Sequence, residues 1–175
     1  SFELKADTSP PDINLLTPSD EAKLTDNIVV FFYNVSDTAV NVSNCSLVIN
    51  GSIYNTTFDP QEDALLNFTE NLTDGTYSWR INCSDDNSNK NGSALRDFGI
   101  DTLAPVSILL NPLDEEKLFG TAYWVNATVT DGGPGEISVA TFEYRENSSA
   151  DWFFACDDGV GPTYDCDWSL IGLSD

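Results

Sequence analysis

An internal repeat constrains this chain more than any other feature of its sequence. Residues 7–37 and 101–131 align without a gap at a constant offset of 94, with 12 identities in 31 positions. The motif Asp-Thr-x-x-Pro at position 7 returns at position 101, for example, and chance would give roughly two identities over this length. The chain is therefore predicted to contain two copies of one domain, with the second copy beginning just after Ile100.

The repeat divides the chain into three parts. Residues 1–8 are predicted to form a lead-in strand, residues 9–101 a first domain and residues 102–175 a second, each domain being of ordinary size. The second copy stops at the position that Asp74 occupies in the first, so we expect it to lack the last strands of the fold. Two explanations stay open: the polypeptide continues past Asp175, or another chain supplies the missing strand.

Short runs of alternating apolar and polar residues predict strands along the whole chain, and no segment predicts a helix. Turn signals separate about seven such strands in the first copy, among them the Asn50-Gly51 hairpin, while residues 19–26 and 85–92 predict turns. The strongest strand, residues 28–37, has four inward positions: Val29, Phe31, Tyr33 and Val35. We predict an all-β fold of tandem Ig-like (fibronectin-III-like) β-sandwiches, the second lacking its last strands.

Four cysteines, two in each copy, indicate an oxidising compartment. Of the three possible pairings, we predict Cys45–Cys83 and Cys156–Cys166, because each then stays within one copy. A zinc site is a poor alternative, because the chain has no Cys-x-x-Cys pair and no histidine.

Acceptor sequons for N-glycosylation are far more frequent than chance allows. Eleven of the 16 asparagines begin Asn-x-Ser/Thr, whereas a Ser and Thr content of about 18% predicts about three. Several fall on the outward phase of their predicted strands. We predict a densely N-glycosylated, extracellular or cell-surface protein with eleven acceptors: Asn34, Asn41, Asn44, Asn50, Asn55, Asn67, Asn71, Asn82, Asn91, Asn126 and Asn147.

The charge balance excludes several classes of partner. With 29 acidic and 7 basic residues the formal net charge is −22, so nucleic acid and anionic membrane surfaces would repel the chain. No apolar run is long enough to span a bilayer, so no direct membrane insertion is expected of this segment. The absence of histidine removes most acid–base and triad mechanisms, and we expect no catalytic residues and no enzyme activity.

Two weaker predictions concern a metal and an assembly contact. A structural calcium ion would use carboxylates near a domain end, and the candidates are Asp37, Asp101 and Asp131, although a plain solvated turn is the simpler explanation. Ile28, Val30 and Phe32 are apolar residues on the outward phase of their strand. They form a predicted assembly patch, unless neighbouring strands or glycans cover them.

The repeated motifs resemble a known family. Asp-Thr-x-x-Pro, Leu-x-x-Pro and Val-x-Asp, followed by Leu-x-Asp-Gly-x-Tyr-x-Trp from Leu72, are similar to the immunoglobulin-like repeats of prokaryotic, above all archaeal, cell-surface and surface-layer-like glycoproteins. The resemblance implies a structural extracellular module of a stalk, sheath, surface layer or filament, whose partners are its own copies or neighbouring Ig-like domains. The alternative is an adhesin or carbohydrate-binding accessory module of a larger secreted protein.

Overall fold

The computed structural model describes residues 7–113, 116–145, 150–159, 161 and 163–169. These residues form strands and connecting turns, and no helix occurs among them. The chain divides into two compact units, Ser1–Thr102 and Leu103–Asp175. The predicted all-β fold class is confirmed. Most of the predicted lead-in strand, residues 1–6, lies outside the described residues.

The first unit is a β-sandwich whose sheets are built from strands distant in sequence. One sheet has the order β1-β3-β6, and the other has the order β2-β9-β7-β4-β5 with β8 paired to β7. The described strands are β1 Asp12–Thr17, β2 Ala22–Leu24, β3 Ile28–Ser36, β4 Val42–Ile49, β5 Ser52–Phe58, β6 Leu66–Asn71, β7 Gly75–Asp85, β8 Lys90–Gly92 and β9 Arg96–Ile100.

The core lies between the two sheets and follows the alternation predicted for β3. Its four inward residues are at most 2% exposed, whereas Ile28 on the opposite face is 60% exposed. The Phe31 ring packs edge-on against Trp79 of the other sheet, with centroids 5.0 Å apart, and against Phe98 at 5.7 Å. Side chains of β3 therefore bind the two sheets together through apolar burial and aromatic packing.

Two of the predicted turns contain strands. Residues 19–26 include β2, which pairs in parallel with β9 through Ala22 and Phe98, and residues 85–92 include β8, which pairs with the end of β7. Both strands have only three residues. Such segments carry too little periodicity to be recognised from the sequence, because their strand character comes from a partner strand distant in the chain. The Asn50-Gly51 hairpin is confirmed, with positive φ at both residues.

The second unit repeats part of this plan. Its described strands form two sheets, β10-β11-β14 and β12-β13, and their bounds are β10 Val106–Asn111, β11 Ala122–Thr130, β12 Ala140–Tyr144, β13 Phe153–Asp158 and β14 Thr163–Ser169. The limits of β10 and β11 are those of β1 and β3 shifted by 94 residues. A register shift also recurs, after Leu15 in β1 and after Leu109 in β10.

Burial differs between the repeated positions. Leu15 is 7% exposed in the first unit, whereas Leu109, its counterpart in the second, is 56% exposed. In the first unit, β7 and β9 belong to the sheet that faces β1, and they contribute buried residues to the core. The described residues of the second unit include no counterpart of either strand. Much of the apolar surface of β10 consequently remains exposed.

Candidate glycan, disulfide and metal sites

Both predicted disulfides are present. Cys45 of β4 and Cys83 of β7 are directly paired across neighbouring strands of one sheet, with Cα atoms 4.1 Å apart. Cys156 of β13 and Cys166 of β14 connect the two sheets of the second unit. No cysteine is free, so no thiolate is available as a metal ligand.

None of the ten sequon asparagines that the structure describes is buried. Two of them are exposed at the ends of strands. Asn50 lies in the turn between β4 and β5, and Asn71 is the last residue of β6. Asn147 lies outside the described residues. The exposed acceptors are Asn41, Asn50, Asn55, Asn67, Asn71 and Asn91.

The other four acceptors, Asn34, Asn44, Asn82 and Asn126, are half-buried. Asn44 donates from Nδ2 to Ser84 Oγ at 2.8 Å and to Ser43 Oγ at 3.1 Å. A glycan replaces one of the two Nδ2 hydrogens, so modification of Asn44 would break one of these bonds. The Oδ1 atom of Asn126 is buried without a hydrogen-bond partner. Asn91, although exposed, likewise donates from Nδ2, to the Pro11 carbonyl oxygen at 2.8 Å. Asn44, Asn91 and Asn126 are therefore less favourable acceptors than the other exposed asparagines.

A shallow depression on the outer face of the six-stranded sheet brings three acceptors together. Asn44, Asn82 and Asn91 line it, together with Arg80 and Lys90. None of the described residues that line it is aromatic, whereas protein platforms that bind sugars or bases commonly stack them on aromatic rings. Glycans attached at these asparagines would themselves fill the depression.

The predicted assembly patch lies beside two more acceptors. Ile28 is exposed, while Val30 and Phe32 are half-buried. In the β3–β6 register Ile28 is paired with Asn71, and Phe32 is paired with Asn67. Directly paired residues of antiparallel strands project on the same face of the sheet. Glycans at Asn67 and Asn71 would therefore border the patch.

Three carboxylates meet at one end of the first sandwich. Asp7, Asp37 and Asp85 each bring one carboxylate oxygen within 4.8 Å of the others. Asp7 precedes β1, Asp37 directly follows β3, and Asp85 is the last residue of β7. The cluster thus joins the incoming chain to one strand of each sheet. Of the predicted calcium candidates it contains Asp37 but neither Asp101 nor Asp131.

Hydrogen bonds position the two acidic residues that end strands. Asp85 is only 2% exposed, and its carboxylate accepts bonds from the Asn87 and Asn89 amides and from Asn89 Nδ2. Burial alone would raise the pKa of Asp85, but these hydrogen bonds from Asn87 and Asn89 outweigh it and hold the pKa below its ordinary value. The hydrogen bonds therefore favour the charged form of Asp85, whose carboxyl group lies close to those of Asp7 and Asp37.

Only one of the two carboxylate oxygens of Asp37 accepts hydrogen bonds. Its Oδ1 accepts hydrogen bonds from the amides of Ala39 and Val40. Its Oδ2 is buried and has no hydrogen-bond partner. Oxygen-only ligand sets of this kind suit hard cations such as calcium.

Sequence reasoning found Asp37 but missed Asp7 and Asp85. A usable signal for Asp7 exists in the repeat, since both Asp7 and Asp37 recur at the offset of 94, as Asp101 and Asp131. Asp85 has no such signal, because only the pairing of β7 brings its end to the cluster.

Within the described part of the chain, no helix has the length and apolar content required to cross a bilayer. No family model matches the sequence, and no curated protein matches it. Solved structures that resemble the chain include the fibronectin(III)-like modules of Clostridium thermocellum CbhA. That match has a TM-score of 0.44 and 14% sequence identity, and covers 91% of this chain and 80% of the other. It transfers no ligand or activity to this chain.

Proposed function

We propose that this chain is a structural extracellular glycoprotein module, repeated within a stalk, sheath, surface layer or filament of the archaeal type and assembling through its Ig-like domains. One observation carries the proposal: the disulfide-linked first sandwich contains nine sequon asparagines, and none of them is buried. Such a module has to resist proteolysis and unfolding, and neither property requires a catalytic residue.

The proposed role of the glycans is to shield the sheets. An exposed strand edge presents unpaired backbone groups and is prone to pair with other chains. The edge strand β5 exposes Ile53 and Phe58, at 68% and 74%, and carries the exposed acceptor Asn55 between them. A glycan there would hinder non-specific pairing of this edge.

Glycopeptide mapping of protein isolated from its native source tests the proposal. We expect glycans at the other exposed acceptors and the lowest occupancy at Asn44, Asn91 and Asn126, where modification conflicts with hydrogen bonding or burial. Unmodified asparagines throughout would contradict the glycoprotein proposal. Higher occupancy at Asn44 than at Asn67 would contradict the structural ranking.

Imaging and native mass spectrometry of the same material test the assembly role. An ordered polymer supports a structural module. A monomer that binds glycans would instead favour the alternative, an adhesin or carbohydrate-binding accessory module, and the exposed aromatic run from Trp152 to Phe154 is the surface that such binding would use.

The assembly patch is tested by changing Phe32 to Asp. A buried unpaired charge is costly at an apolar contact, so we expect self-association to weaken at least tenfold, which corresponds to about 1.4 kcal/mol. Analytical ultracentrifugation of the glycosylated protein measures this. Asn14→Asp is the matched control, because its position is exposed on the same sheet and pairs with Asn34. Equal association of both variants and the unmodified chain would rule out a contact through the patch.

A further inference from the structure

We propose that Asp7, Asp37 and Asp85 form a calcium site that fastens the incoming chain to both sheets of the first sandwich. The inference goes beyond the proposed structural role, since it assigns a specific ligand to specific residues. It begins with the spacing of the three carboxylates. Two oxygens that each bind one calcium ion at about 2.4 Å are at most about 4.8 Å apart, and the three carboxylate oxygens lie within 4.8 Å of one another.

Burial provides the second observation. The Asp85 side chain is almost completely buried, and Asp37 Oδ2 is a buried oxygen without a hydrogen-bond partner. A buried oxygen of an ionised carboxylate is costly unless a donor or a cation compensates it. No donor reaches Asp37 Oδ2 among the described residues, so this oxygen is available to a cation.

The negative charge of the three carboxylates also favours a bound cation. Three carboxylates at this distance repel one another, and no Lys or Arg is part of the hydrogen-bonding set around them in the described structure. The chain as a whole carries 29 acidic and only 7 basic residues. A divalent cation bound between the carboxylates would remove this repulsion. Distant lysines would not, because solvent and salt screen their charge.

The chemistry of the ligands selects the cation. The ligands are oxygens alone, because the chain has no histidine and its cysteines are all oxidised. Zinc and other soft or borderline metals favour nitrogen and sulfur. Magnesium keeps several of its waters and is usually bound through only one or two carboxylates, whereas this cluster offers three. Calcium exchanges its waters readily for carboxylate and carbonyl oxygens.

The repeat adds a further argument for a functional arrangement. Asp101 and Asp131 stand at the positions of Asp7 and Asp37 in the second copy. Both acidic positions of this part of the cluster are therefore present in each copy.

Asp37→Asn tests the site, with Asp26→Asn as its matched control. Both residues accept an amide two positions ahead through Oδ1, at 3.0 Å and 2.8 Å, and asparagine keeps that acceptor. Only Asp37 belongs to the cluster, since Asp26 is exposed before β3. The two variants therefore share the same loss of charge and the same local conformation.

The measurement is thermal unfolding of the full chain, first in chelator and then with calcium chloride or magnesium chloride at equal ionic strength. Calcium is expected to raise the Tm of the unmodified chain and of Asp26→Asn, and calorimetry is expected to give at least tenfold weaker calcium binding for Asp37→Asn. In chelator, Asp37→Asn is expected to unfold at the same or a higher temperature, because the variant relieves repulsion.

Three results would overturn the site. The first is an unmodified chain whose Tm and calorimetric signal do not respond to calcium. The second is an Asp37→Asn variant that binds calcium as the unmodified chain does, which would place the ion elsewhere. The third is an equal response to magnesium, which would indicate charge screening alone. Glycosylation or polymer formation does not enter these measurements, so the outcome is independent of the proposed function.

Discussion

Replacing Phe31 by alanine is expected to destabilise the first unit by about 4 kcal/mol, within the usual cost of removing a buried aromatic side chain. Phe31 is completely buried in β3, and its ring packs against Trp79 and Phe98 of the opposite sheet. The substitution therefore leaves a cavity between the sheets and removes two edge-on aromatic contacts. The neighbouring residues belong to strands held in place by their ladders, so the cavity cannot collapse completely.

Hydrogen exchange followed by mass spectrometry measures this effect for the first unit alone. Peptides that cover β3 and β7 are expected to lose protection together, because these strands share the core. Phe58→Ala is the matched control: Phe58 is 74% exposed on β5, so the same change of side chain should cost less than about 0.5 kcal/mol. A Phe31→Ala chain as stable as Phe58→Ala would contradict a core in which Phe31 packs between the two sheets.

Removing the Cys45–Cys83 disulfide is the second large effect. The bridge closes a separation of 38 residues, and the chain-entropy model assigns about 4 kcal/mol to a loop of that length. The double variant Cys45→Ala/Cys83→Ala is therefore expected to unfold its first unit at a much lower denaturant concentration. Both cysteines are buried in the core, so alanine introduces no buried polar group.

The second disulfide supplies the matched control. Cys156–Cys166 closes a separation of only 10 residues, for which the same model gives about 3 kcal/mol, and it belongs to the second unit. Its removal should leave protection of β4 and β7 against hydrogen exchange unchanged. Two outcomes would refute the assignment of each bridge to its own unit. One is a loss of protection in β4 and β7 after Cys156→Ala/Cys166→Ala, and the other is unchanged protection in these strands after Cys45→Ala/Cys83→Ala.

A disulfide and a calcium ion would stabilise different parts of the same sandwich. The Cys45–Cys83 bridge connects two strands of one sheet, and it does not link that sheet to β3. The carboxylate cluster includes the end of β3, the end of β7 and the chain before β1. An ion there would complement the disulfide, because it would hold the two sheets and the incoming segment at one end of the domain.

The glycan acceptors give the assembly patch a specific boundary. Asn67 and Asn71 lie opposite Phe32 and Ile28 across the β3–β6 pair. Any neighbouring copy that contacts the patch would therefore also contact glycans attached at these two asparagines, if they are modified as proposed. The effect of Phe32→Asp consequently needs to be measured on glycosylated protein.

Much of the fold can be read from local pattern. The alternation in β3 predicts its buried face because a strand that separates core from solvent must place apolar side chains on every second residue. Asn50-Gly51 predicts its hairpin because both residues tolerate positive φ. Strands β2 and β8 show why other elements escape prediction. Each has three residues and depends on pairing with a distant strand, so its own sequence contains little information about it.

The amino-acid sequence by itself determined the duplication, the all-β class, the inward residues of β3 and the identity of the acceptor asparagines. Each depends on the identity, spacing or alternation of residues, and the linear sequence contains these properties directly. Tertiary structure alone decided which acceptors are accessible and that Asp37 meets Asp7 and Asp85. Residues 7, 37 and 85 are far apart in sequence, and they become neighbours only because β3 and β7 lie in facing sheets and end at the same side of the sandwich.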